Sequence, residues 1–223
     1  MAAGEGKAAA LLWEQLVAGY PESPFRGASL RKTAEVYAQS RDYPKSLELY
    51  TRFIGEYPEE ARAARADIRA EQIRYQSQGF GDREAELSAV IARETGAKKR
   101  DATIELARLF IFSGEKKAET GYRSLLAVIA EGEPESSARA LFLAGEYLYR
   151  KGDLPEAARQ FLAAAATTKA DPSFAASALY RAAEMMHLAK RSDEVDALVK
   201  RLEDRFPGSE WTAKARLLRE TLR

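Results

Sequence analysis

His187 is the single histidine of this chain, and the sequence contains no cysteine and no asparagine. The residues that most often carry nucleophilic, acid–base or metal chemistry are therefore nearly missing. A Ser–His–acid triad or a histidine-based metal site would have to use His187. It stands in Ala182-Ala-Glu-Met-Met-His187-Leu, with no catalytic motif around it, and reads as a structural or surface residue. Without Cys there is no disulfide frame, thiol nucleophile or thiolate metal site. Carboxylates are plentiful, but they alternate with Lys and Arg at helical spacings, as on a solvated face. The Gly79-Phe80-Gly81 turn lacks the strand and spacing of a phosphate loop. The clusters Lys98-Lys99-Arg100 and Lys116-Lys117 are flanked by Asp101, Glu115 and Glu119, which reads as solvated junctions. These residues call for no enzyme activity, no cofactor and no metal.

The elements that must position any binding surface come next. The 223 residues are 46% hydrophobic and 31% charged, the profile of a folded chain with a sizeable core. Lys and Arg (35) balance Asp and Glu (34), with no strongly basic arm, which argues against nucleic acid as a partner. The Tyr and Phe residues fall at core spacings and are not interleaved with a basic stripe. No run approaches the length of an apolar membrane span. Met1-Ala-Ala-Gly-Glu-Gly-Lys7 lacks the core of a secretory signal. That start is compatible with a cytoplasmic protein or with removal of a signal, and in the second case with a lipid anchor.

One breaker recurs about every 38 residues: Pro21, Pro58, Gly96, Pro134, Pro172 and Pro207. Three of them share a pattern, in Tyr20-Pro21-Glu22-Ser23, Tyr57-Pro58-Glu59 and Phe206-Pro207-Gly208-Ser209. The reading is a helix end with an aromatic folded back, a Pro that blocks continuation, and a start for the next helix. A weaker break lies within each period, at Arg41-Asp42-Tyr43-Pro44, Gly79-Phe80-Gly81-Asp82, Ser113-Gly114-Glu115, Lys151-Gly152-Asp153-Leu154-Pro155 and Lys190-Arg191-Ser192-Asp193. Each period is thus helix, tight turn, helix. With 42 alanines and no sustained period-2 alternation, the fold class is all-α. The first helix of a unit carries large–small–large at i, i+4, i+7: Leu30-Ala34-Tyr37, Leu141-Gly145-Leu148, Leu179-Ala183-Met186 and, more weakly, Thr103-Ala107-Phe110. A small central residue lets two helices cross closely. The second helix begins with Ser46, Ala85, Ala118, Ala157 or Val195. In three units an aromatic follows four residues later, as Tyr50, Tyr122 and Phe161.

With Leu141, Gly145, Leu148, Gly152-Asp153, Ala157, Phe161 and Ala164, the chain resembles the tetratricopeptide repeat family. The unit 59–96 departs from the pattern, because Ile68, Gln72 and Tyr75 stand where a small central residue is expected. The stretch Lys45-Ser-Leu-Glu-Leu-Tyr50-Thr-Arg-Phe53-Ile-Gly-Glu-Tyr57-Pro58 is similar to repeats of bacterial envelope proteins of the β-barrel assembly lipoprotein and Tol–Pal coordinator type. The resemblance implies a right-handed helical solenoid over residues 1–223. It would have an N-terminal helix at about 8–20 and repeats at about 27–58, 59–96, 97–133, 134–171 and 172–207. A capping helix at about 209–222 would carry Trp211, Ala215, Leu218 and Leu222 on one stripe. Leu12, Trp13, Leu16 and Tyr20 would cover the other end, or either end would serve self-association.

Stacked helix pairs of this kind place their first helices on a concave side. Laying the repeat on the chain puts Arg31 and Glu35 there, then Ile104, Arg108 and Ile111, then Phe142, Glu146 and Tyr149, then Tyr180, Glu184 and His187. Such a surface suits a peptide with apolar anchors and a basic residue; the alternative is that these side chains pack against the next repeat. Family members that hold chaperone carboxylate tails use paired Asn residues, so that clamp is excluded in its usual form. The function expected is a non-enzymatic protein-binding scaffold, periplasmic or associated with an outer membrane. A cytoplasmic adaptor, a non-catalytic helical part of a cell-wall hydrolase and a self-assembling structural protein are the alternatives.

Overall fold

The computed structural model describes residues 3–77, 80–113 and 115–221; for residues 3–7, 80 and 81 it describes the backbone alone. The expected turn residues Gly79 and Gly114, and the terminal Leu222, lie outside the described residues. Among the described residues there are thirteen α-helices and no strand, so the all-α expectation holds. The chain divides into two compact units, Met1–Phe80 and Gly81–Arg223.

The first unit holds α1 (Ala3–Gly19), α2 (Arg26–Gln39), α3 (Tyr43–Glu56), α4 (Pro58–Ala63) and α5 (Ala66–Ser77). Helix α2 packs between α1 and α3, and α5 returns onto α3. The stripe Leu30-Ala34-Ala38 of α2 faces Leu49, Tyr50 and Phe53 of α3 in a core completed by Val17, Ala61, Ala66, Ala70 and Ile73. The small residue at the crossing is used directly: Ser46 Oγ donates to the Ala34 carbonyl at 2.7 Å. Pro44 sits in the first turn of α3, where its missing N–H costs nothing, and Asp42 accepts from the Lys45 N–H at 3.3 Å. After Pro58 the chain makes a short helix, a break at Ala64-Arg65, and α5. The sequence did not announce that break, since no Gly or Pro stands there.

The second unit begins at α6 (Phe80–Arg93) and continues with α7 (Gly96–Ile111), α8 (Glu115–Ala130), α9 (Pro134–Lys151), α10 (Leu154–Thr167), α11 (Pro172–Leu188), α12 (Ser192–Arg205) and α13 (Glu210–Glu220). From α7 onward every helix packs on its successor, and the first helices also meet one another, α7 on α9 and α11 on α13. This is the pattern of a helical-repeat stack. Side-chain caps start α9, α10, α11 and α13, from Glu133, Asp153, Asp171 and Ser209. In the turn inside the repeat one residue is left-handed: Arg41 in the first unit (φ 62°), Gly152 (φ 89°) and Lys190 (φ 58°) in the second. Glycine takes this conformation freely, whereas a side chain there costs about 1–2 kcal/mol.

The helices cross closely where glycine stands. A Cβ on Gly145 would lie 2.8–2.9 Å from the ring of Phe161, and one on Gly121 2.7 Å from the Ala107 carbonyl oxygen. Repeats are tied to one another by Glu135, which accepts from Thr168 Oγ1 at 2.9 Å and from the N–H groups of Lys169 and Ala170 at 2.9 and 3.2 Å. Arg150 donates to the Ile111 carbonyl at the end of α7.

Candidate functional site

Helices α9 and α11 lie on either side of α10 and meet through long side chains. Five of the nine second-unit residues expected on a concave surface converge there: Phe142, Glu146 and Tyr149 from α9, and Tyr180 and Glu184 from α11. Their centre is a residue the sequence reading passed over, Arg181. Its guanidinium takes Glu146 in a bidentate grip, Nε to Oε1 at 2.9 Å and Nη2 to Oε2 at 2.8 Å. It also donates to Glu184 Oε2 at 2.8 Å, one turn along its own helix. The same guanidinium lies over the rings of Tyr149 and Phe161, 5.1 and 5.4 Å from their centroids. Tyr180 Oη donates to Glu184 Oε1 at 2.9 Å. Phe142 meets Phe161 edge-on at 5.1 Å and Phe174 at 5.4 Å, and Tyr180 lies against Trp211 at 5.5 Å.

Exposure separates these residues into two layers. The side chains of Arg181, Glu146 and Glu184 retain 15%, 13% and 9% of their accessible surface, and Phe142 is half-buried. Tyr149, Ile104 and Ile111 are buried, which corrects the expectation that they line an open surface. Tyr149 lies under the Arg181 guanidinium, and α7, which carries Ile104 and Ile111, packs on α8 and α9. Tyr180 and His187 are also buried, and Arg108 is half-buried on α7. Among the described residues no group of three or more His, Asp or Glu is placed to hold a metal ion.

The first unit contains a counterpart. Glu35 stands directly after the small residue Ala34 of α2, as Glu146 does after Gly145 of α9. Arg69 of α5 grips it at 2.9 Å (Nε to Oε1) and 2.8 Å (Nη2 to Oε2), and Tyr50 Oη donates to it as well. Burial pushes the Glu35 carboxyl up, but the hydrogen bonds from Arg69 and Tyr50 and the charges of Arg69 and Arg31 outweigh it, so its pKa lies below the usual carboxylate range. A carboxylate one place after the crossing residue, held by an arginine from a later helix, is thus a repeated device.

The basic clusters are tied to acids: Lys98 faces Glu94 at 3.9 Å, Arg100 Glu131 at 3.4 Å and Lys117 Glu84 at 2.5 Å. No described helix is long and apolar enough to cross a membrane.

Stacked helix hairpins with small residues at their crossings define a helical-repeat scaffold. The tetratricopeptide repeat profile matches residues 1–61 and 122–173, together half of the chain, and the chain belongs to that family. No curated protein matches it. Tetratricopeptide repeats in general mediate protein–protein interaction and act as non-catalytic scaffolds.

Proposed function

We propose that the second unit binds a peptide or protein segment along the α9–α11 seam, reading a basic side chain through Glu146 and Glu184 and an apolar one through Phe142. What supports this is the composition of the seam: the carboxylates of Glu146 and Glu184 stand around the Arg181 guanidinium beside a half-exposed aromatic. A partner's Lys or Arg entering there gains a charge-assisted hydrogen bond in a poorly hydrated place. Ile104, Arg108, Ile111, Tyr149, Tyr180 and His187 support the surface from beneath and from its flanks. We further propose a bacterial envelope as its location, periplasmic or at an outer membrane. That reading is supported by the resemblance of residues 45–58 to repeats of envelope proteins, with a cytoplasmic adaptor as the alternative.

Selection from a displayed peptide library tests the binding site. Peptides enriched on the wild-type protein should carry a basic residue next to an aromatic or aliphatic one. They should lose affinity for Glu146→Gln/Glu184→Gln while the helix content stays unchanged. Enriched peptides without a basic residue, or ones that bind the double variant equally well, would sink the proposal.

A further inference from the structure

We infer that the first unit carries an anion site of its own at Arg31 of α2, which takes the carboxylate of an acidic side chain on a partner protein. The place of Arg31 follows from the repeat. Aligning Leu30-Ala34-Tyr37 with Leu141-Gly145-Leu148 and Leu179-Ala183-Met186 sets Arg31 where α9 has Phe142 and α11 has Tyr180. In both later repeats a ring lies against that residue, Phe174 against Phe142 and Trp211 against Tyr180. The ring comes each time from the first turn of the next first helix. What lies beside Arg31 is therefore set by α2 and by the chain that follows it. Counting from Tyr57-Pro58 against Phe206-Pro207 puts Arg62 of α4 at the place of Trp211. Where the later repeat sets ring against ring, the first unit has arginine at both places.

The donors of Arg31 are not engaged. Arg26, Arg52, Arg62, Arg69 and Arg74 of this unit each hold a carboxylate. Arg31 is half-buried, yet among the described residues its guanidinium donates no hydrogen bond and stands in no ion pair. It acts by charge alone on Glu35, one turn along α2. That carboxylate is already taken. Its Oε1 accepts from Arg69 Nε at 2.9 Å and from Tyr50 Oη, and its Oε2 accepts from Arg69 Nη2 at 2.8 Å.

Two guanidinia thus stand around one carboxylate, the reverse of the seam, where two carboxylates stand around Arg181. A half-buried arginine lays its stem on apolar surface and keeps its fork at the water. An incoming carboxylate completes the planar two-point pair that the Arg31 fork lacks, and the charge of Arg69 adds to the attraction. Glu35 opposes it little, because Arg69 neutralises that carboxylate at both oxygens. This site is built by the first unit alone and does not rest on the reading of the α9–α11 seam.

The probe is fluorescein-labelled hexaglutamate with an amidated C-terminus, added to the full protein at low salt and read by anisotropy. It should bind saturably, and Arg31→Gln should weaken it by about tenfold, the scale of one charge-assisted pair. Arg52→Gln removes the same charge from α3 of the same unit, where the guanidinium already holds Glu56, and should leave the affinity within about twofold. Arg31 makes no hydrogen bond among the described residues, so Arg31→Gln should keep helix content and melting temperature, which circular dichroism checks. Glu146→Gln/Glu184→Gln should bind hexaglutamate at least as well as the wild type, which separates this site from the seam. No saturable binding, an equal loss in the Arg31 and Arg52 variants, or a loss in the seam variant would overturn the inference. So would preference for pentaalanine with a free C-terminus, since the ligand would then be a chain end and not an acidic side chain.

Discussion

Three helical glycines give a graded test of how closely the helices cross. Gly55, in α3, has no heavy atom within 4 Å of the place a Cβ would take. Replacing it by Ala should add only the helix preference of alanine over glycine, about 1 kcal/mol. At Gly145 the same Cβ would meet the ring of Phe161 at 2.8–2.9 Å, and that ring is fully buried and in edge contact with Phe142. The ring has to shift by several tenths of an ångström, an overpacking penalty of about 1–3 kcal/mol that outweighs the helix gain. At Gly121 the obstacle is harder. The Ala107 carbonyl oxygen at 2.7 Å and the Phe110 Cβ at 3.0 Å leave no side-chain rotation to relieve the clash, so α7 and α8 themselves must separate. The net effects expected are a gain of about 1 kcal/mol for Gly55→Ala, a loss of about 1 for Gly145→Ala and a loss of about 2 for Gly121→Ala. Each kcal/mol moves a melting temperature by about 2–4 °C in a domain of this size. Thermal and urea unfolding followed by circular dichroism read the series. If Gly121→Ala proves as stable as Gly55→Ala, the close crossing of α7 and α8 is wrong, and with it the reason for small residues at these places.

Two further outcomes follow from the polar clusters. Arg181→Met removes the guanidinium shared by Glu146 and Glu184 and should cost about 3–5 kcal/mol; converting both carboxylates to Gln in the same chain should recover most of it in urea unfolding, whereas no recovery would deny the pairing its role. In the first unit, the lowered pKa of Glu35 contributes stability that is present above the ordinary glutamate value of about 4.3 and is lost as pH falls through the folded value. Glu35→Gln should therefore flatten the loss of stability between about pH 5 and 3, and an unchanged profile would refute the assignment.

The helix stripes were legible because an i, i+4, i+7 pattern reports a helix face directly. Leu30-Ala34 and Leu141-Gly145 therefore located both the helices and their crossings. The turn at Gly152-Asp153-Leu154-Pro155 was equally plain, since glycine, capping Asp and first-turn Pro each have one natural place there. Arg41 and Lys190 adopt the same left-handed conformation without a residue type that declares it. The break at Ala64-Arg65 was silent for a related reason. Residues 61–70 are alanine- and arginine-rich and favour unbroken helix. The chain breaks there, with Arg65 at φ 51°, and Ala61, Ala66 and Ala70 all enter the core. At the seam, Glu146 and Glu184 were found by repeat position alone. Arg181 was not, because its role rests on a carboxylate 35 residues earlier that no local pattern connects to it.

That long reach explains what the clusters contribute to the scaffold. Small residues at the crossings permit close approach but hold one register only weakly, since Ala and Gly present little relief to a sliding neighbour. A carboxylate one place after the crossing, gripped at two points by a planar guanidinium from a later helix, accepts one register alone. Glu35 with Arg69 and Glu146 with Arg181 do this in the two units. Such partly buried pairs add little net stability, because desolvation offsets most of the attraction. Their effect is to fix how far one repeat stands from the next, and hence the spacing of any side chains a bound segment would meet. In the second unit the same cluster also borders the surface assigned to a partner. If the proposed partner drew Glu146 or Glu184 away from Arg181, it would loosen the register it binds to, and binding would then be coupled to repeat spacing.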